Sequence, residues 1–333
     1  MRAPFRRFAL AALGAAALAV AVLLLRGPGR ETPPRPAAAP ASLAGGAAPA
    51  ATQPAASAAT PAVLARGAYV MAAAGCAECH TDRKDRGKPL AGGRALETPY
   101  GVFHTPNITR DEATGIGRWS EADFRRALRE GVGPDGTHFF PAFPYPSYTG
   151  MTDADIADLY AYLFSLPPVA QADKPHEIRF PFNIRALMPI WNRLYLKRGP
   201  YAADASRSPA WNRGAYLVQV LGHCGECHTP RNALGAVDWE RPLAGSDQGP
   251  EGSTVPNITP DPETGIGKWS ETDITYLLET GLKPDGDNVG DGMGEVVEES
   301  TGKLTPEDRA AIAKYLKSLK AIRHPVQRKA AGS

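Results

Sequence analysis

Two stretches of the chain carry apolar residues at helical spacing: Leu159, Tyr162, Leu163 and Leu166 in one, Ile312, Tyr315, Leu316 and Leu319 in the other. Residues three and four apart share a helix face, so each stretch predicts an amphipathic helix with its stripe on a core. Each opens on a start signal, Thr152 with Asp155 in one and Thr305, Pro306 and Asp308 in the other. Ser120 with Asp123 and Ser270 with Asp273 predict two further helices begun by capping boxes. No run alternates convincingly enough to predict a strand. The pattern therefore reads as all-α.

The N-terminal region is different. Ala9 to Leu25 is an unbroken apolar run behind Arg2, Arg6 and Arg7. Its length is near the lower limit for a spanning helix and also suits a long signal-peptide core. No small-x-small cleavage site follows directly, so residues 1–26 are expected to be a signal-anchor, with a cleaved signal as the alternative. Arginines ahead of the run place the N-terminus in the cytoplasm and the body outside. Residues 27–62 are dominated by Ala, Pro, Gly, Ser and Thr and predict an extended tether.

Charge narrows the function. The net charge is +2, and five arginines with no acidic residue stand in the first thirty positions. The remainder carries 32 Lys+Arg against 35 Asp+Glu, which excludes a nucleic-acid binder by charge.

Beyond the tether the chain repeats itself. RGAYVMAAAGCAECHT (66–81) matches RGAYLVQVLGHCGECHT (213–229) with one insertion, and KPLAGG (88–93) matches RPLAGS (241–246). TPNITRDEATGIGRWSEAD (105–123) matches VPNITPDPETGIGKWSETD (255–273) without a gap, and PDG recurs at 134–136 and 284–286. Each half predicts a helix entering the cysteine motif, a long loop, a middle helix, another loop and a final helix. Units this small have thin cores.

All four cysteines, Cys76, Cys79, Cys224 and Cys227, lie in two C-x-x-C-H motifs, each followed by Thr. This is the attachment signal of c-type haem: two thiols form thioethers with the vinyl groups and the next residue supplies an imidazole to the iron. A redox dithiol or half a zinc site would account for a single such motif, but not for two copies that use every cysteine. Two covalently bound haem c groups are expected, with His80 and His228 as proximal ligands. The haem would also supply much of each missing core.

On these motifs, over residues 63–322, the chain resembles dihaem c-type cytochromes, and in particular the cytochrome subunits of membrane-bound bacterial alcohol, gluconate and related sugar dehydrogenases. The resemblance implies two tandem class I cytochrome c domains, at 63–170 and 208–325, joined by a connector at 171–207 and followed by a tail at 326–333. It departs in one respect: alcohol dehydrogenase subunits carry three such domains. It also implies that a proline carbonyl orients each proximal histidine, for which Pro89 and Pro242 in the repeated PLAG are the candidates, with a plain turn as the alternative. Trp119, Trp269, Asn107 and Asn257 are candidates to wall the haem or bind its propionates.

Met293, seven residues beyond PDG, is the expected sixth ligand of the second iron. Continuing the register places Phe143 opposite it, and phenylalanine has no lone pair. For the first iron, Met151, His138, His104 or an open site remain, and Met151 is favoured because a closed His/Met iron suits an electron relay. In the connector, NIRALMPIWNRLYL with Trp191 is expected to cover the seam between halves, or else to dock a partner or membrane.

No nucleophile–base set, nucleotide loop or substrate-metal cluster is visible, so the cofactor carries the chemistry. The expectation is a periplasmic cytochrome anchored to the inner membrane. It takes electrons from a dehydrogenase and gives them to quinone, another cytochrome or a terminal oxidase. A haem enzyme of peroxidase or thiosulfate dehydrogenase type, or a gas sensor, is the alternative, and each needs an open iron or a different ligand set.

Overall fold

The computed structural model describes residues 59–326. The signal-anchor, the tether up to Ala58 and the tail beyond Val326 lie outside the described residues. Among the described residues no helix is long and apolar enough to cross a membrane.

The first half begins with α1 (Pro61–Ala73), capped by Thr60, and turns at Gly75 into the short α2 (Cys76–His80). A hairpin of β1 (Ala95–Thr98) and β2 (Gly101–His104) follows. Then come α3 (Glu121–Glu130), α4 (Tyr145–Tyr148) and α5 (Asp153–Ser165). The connector contributes β3 (Glu177–Ile178), which pairs antiparallel with β2, and α6 (Met188–Tyr195). The second half repeats the helical order. It comprises α7 (Pro209–Tyr216) running into a π-helical turn (Leu217–Leu221), α8 (Gly225–His228), α9 (Glu271–Thr280), α10 (Asp291–Glu299) and α11 (Pro306–Lys317).

The predicted helices form where expected. Both capping boxes are complete, with Ser120 and Ser270 accepting from the Asp123 and Asp273 amides and the aspartates bonding back. Leu159 and Leu163 of α5 are buried, as are Ile312, Tyr315 and Leu316 of α11. The shared RGAY has a steric reason: α1 crosses α5 at Gly67 and α7 crosses α11 at Gly214. At both, a Cβ would collide with the facing helix backbone, at Asp158 and Ala311.

The all-α reading holds, with a small three-stranded sheet added to it; strands of four and two residues are too short to show alternation and the third arrives from the connector. One expectation needs correction. Met293 stands not on a loop but on α10, whose Gly-rich start hides the helix from propensity.

The halves interlock reciprocally. The Tyr69 hydroxyl donates to Asp308 (2.5 Å) at the start of α11 and accepts from the Thr305 amide. The Tyr216 hydroxyl donates to Asp155 (2.5 Å) at the start of α5 and accepts from the Thr152 amide. Each half's entering helix thus caps the final helix of the other. The connector seals the seam as expected, with Trp191 buried, its indole donating to Leu234 O (2.9 Å), while Tyr145 donates to Asn192 (2.6 Å).

Candidate cofactor sites

On α2, Cys76, Cys79 and His80 stand at i, i+3 and i+4, and Cys224, Cys227 and His228 do so across α8 and the residue before it. That spacing puts three side chains on one helix face, the arrangement two thioethers and one iron ligand require. None of the four cysteines is joined to another in a disulfide.

The histidines are held by the proline of PNIT. His80 Nδ1 lies 2.7 Å from Pro106 O, and His228 Nδ1 lies 2.8 Å from Pro256 O. With Nδ1–H donating there, each Nε2 keeps a lone pair for a metal. Burial lowers both imidazoles, against the raising effect of the carbonyl, which favours the neutral form a ligand needs.

Pro89 and Pro242 therefore do not orient the histidines. Their PLAG segment braces the backbone beneath. The Leu90 and Leu243 amides donate to Thr81 and Thr229 Oγ1 (3.1 and 3.0 Å), and the Gly92 and Gly245 amides donate to His80 and His228 O (2.8 and 2.6 Å). Both leucines sit in the left-handed region at φ 59° and 60° to do so, and this explains the threonine after each motif.

Asn107 and Asn257 bind no propionate through their amides, which are buried and occupied. Each Oδ1 accepts from the amide and hydroxyl of the threonine two residues on. Each Nδ2 donates to Thr114 or Thr264 and to a carbonyl of the strand leaving the final helix, Val169 O or Ile322 O, both at 2.7 Å. PNIT is a lock that ties the chain after each final helix over the loop and aims the proline carbonyl. Trp119 and Trp269 are partly buried against the core, and Trp119 stacks on Phe139 at 6.4 Å.

Arginine fixes each attachment turn. Arg94 donates to Glu78 O and Arg231 to Glu226 O, both at 2.7 Å. Burial raises the Glu78 carboxyl to about 7 despite Arg94. α4 of the first half meets the second attachment turn across the seam. Ser147 Oγ donates to Glu226 (2.9 Å), and the Tyr148 ring lies edge-on 5.4 Å from His223, while within its own half Tyr148 Oη donates to Ala74 O (2.7 Å). Arg94 pairs with Glu295 of α10 (2.6 Å).

Met151 is fully buried in the core cluster against which Cys76, Ile108, Trp119 and Phe143 pack. Met293 is half-buried and packs on the same cluster with Cys224, Ile258 and Trp269. His104 lies on β2 with Nε2 3.3 Å from Glu177, and the His138 carbonyl accepts from Arg185 at 2.7 Å.

A protein with two such sites on helical repeats is a covalent-haem electron carrier by construction. The Cytochrome c family model matches residues 64–167 and 212–320, and the chain belongs to that family. It is 46% identical over 262 residues to a diheme cytochrome c-type protein of Cereibacter sphaeroides, covering 77% of this chain and 86% of the relative. It is 41% identical over 272 residues to the fructose dehydrogenase cytochrome subunit of Gluconobacter japonicus, covering 81% and 55%. It is also 41% identical over 273 residues to the gluconate 2-dehydrogenase cytochrome c subunit of Pantoea cypripedii, covering 77% and 59%. The chain thus spans little more than half the length of these two dehydrogenase subunits. The cofactor is covalently bound haem c, two per chain.

Proposed function

We propose that this protein is an exported, membrane-anchored dihaem relay that takes electrons from a dehydrogenase and hands them to quinone, another cytochrome or a terminal oxidase. The observation that carries the reading is the seam, where Ser147 of one half bonds Glu226 and the Tyr148 ring packs on His223, both at the attachment turn of the other. The dehydrogenase donor is supported by relatives named as dehydrogenase subunits. The apolar run Ala9–Leu25 supports the anchor and the periplasmic face of the inner membrane.

Haem c supplies a one-electron couple at each site. The chain supplies the rest. Cys76 and Cys79, and Cys224 and Cys227, would form the thioethers. His80 and His228 would offer Nε2, held by Pro106 and Pro256. Met293 would give its sulfur to the second iron and the fully buried Met151 to the first.

An anaerobic titration of the full-length holo-protein followed by carbon monoxide addition tests the reading. Two electrons per chain and no carbon monoxide adduct are expected. An adduct at either iron would replace the relay with a haem enzyme or gas sensor.

A further inference from the structure

We propose that the outward face of the connector is a docking surface for an anionic lipid bilayer, a second membrane contact independent of the N-terminal run.

Residues 179–198, RFPFNIRALMPIWNRLYLKR, hold Arg179, Arg185, Arg193, Lys197 and Arg198 and no acidic residue. A 3-10 turn at Arg185–Leu187 leads into α6. The inner face of α6, with Met188, Trp191 and Tyr195, packs on the seam. The outer face carries Ile184, Leu187, Ile190 and Leu194 at helical spacing, with Leu187 45% and Leu194 64% exposed. Phe180, just before, is 78% exposed. Of eight large apolar side chains exposed among the described residues, five fall in this segment, so the patch is local and not a general property of the surface.

The cations sit on the rim. Arg185 is tied to His138 O and lies over the Phe140 ring at 4.3 Å, so it belongs to the fold. Arg198 pairs with Glu130 (3.4 Å), while Arg179, Arg193 and Lys197 are exposed. Lys197 lies over Trp239 at 5.2 Å, which brings a further exposed aromatic to the edge.

Apolar side chains projecting from a helix, ringed by flexible cations and aromatics, are the arrangement of a helix lying in a membrane interface. A bilayer meets such a surface without shape complementarity, and its anionic headgroups answer a segment of one charge sign. A protein partner would have to supply both a matching concavity and the missing carboxylates.

The test uses full-length holo-protein with a protease site inserted between residues 31 and 50. It is incorporated into phosphatidylglycerol-rich or pure phosphatidylcholine vesicles, cut, and sedimented, with the body followed by haem absorbance. The cut body is expected to pellet with anionic vesicles at low salt, leave them at high salt, and stay in solution with neutral ones. Leu187→Ser with Leu194→Ser, both on the exposed face, should weaken retention at least tenfold. Arg193→Gln with Lys197→Gln should weaken it about fivefold for each cation removed. A chain that pellets only while uncut overturns the surface and leaves the anchor standing. Retention unchanged by both double variants overturns it too. If the variants instead abolish binding to a purified dehydrogenase subunit while the cut body ignores vesicles, the surface serves a protein.

Discussion

The proximal sides of the two halves are near copies, and the distal sides are not. Below each histidine the same PLAG brace, the same PNIT lock and the same proline carbonyl recur with bond lengths within a few tenths of an ångström. Above, one half offers a fully buried methionine between α4 and α5, the other a half-buried methionine on a helix. The proximal lock fixes a tautomer and an angle, so it tolerates no second solution. On the proposed reading a sixth ligand would have only to bring one sulfur to one place, and chains of different path can do that.

The largest expected effect separates the distal sides. In the full-length holo-protein, Met293→Leu should lower one reduction step by on the order of 0.2 V, within the roughly 0.8 V that axial ligands span. Met151→Leu should lower the other step similarly. As a volume-conserving change its packing cost should stay below about 1.5 kcal/mol, so a larger loss in the holo-protein would measure the lost iron bond. Redox titration reads the first effect and urea unfolding the second. Two unmoved steps in Met151→Leu would make its burial a matter of packing alone.

A smaller effect should show the proximal sides as equals. Asn107→Ala and Asn257→Ala each strand a buried amide, hydroxyl and carbonyl, so each should cost about 3 kcal/mol by urea unfolding. Values differing by more than about 1.5 kcal/mol would break the equivalence, given the usual twofold scatter of such contacts.

The smallest concerns the reciprocal caps. Burial pushes the Asp308 carboxyl up, but bonds from Arg213 and Tyr69 outweigh it and hold it below the ordinary range. Its contribution is therefore present above the unfolded carboxylate pKa of about 3.9 and is lost as pH falls through the folded value. Asp308→Asn should cost about 2 kcal/mol at pH 7, the difference shrinking in acid. A cost constant with pH would mean the charge is irrelevant.

Helix starts, the haem motifs and the repeat are legible because each is local: caps, spacing and identity lie within a few residues. Pro106 and Pro256 are legible in principle, since the proline of PNIT repeats without a gap. The nearer PLAG misleads because sequence distance from His80 is not distance in space. The arginines on the attachment turns are not legible. Arg94 follows His80 by fourteen residues and Arg231 follows His228 by three, so two unrelated positions converge on one task and no alignment pairs them. The sheet is hidden for the same reason, being completed by a segment some seventy residues on.

The exchange of caps has a consequence for biosynthesis. The chain grows from its N-terminus, so α5 is complete before Tyr216, the residue that ties its first turn, has been made. Until the second half is present, the first turn of α5 lacks the tyrosine that ties it, so a chain cut before residue 208 keeps its helix start unsatisfied. Closure comes only when the second half arrives.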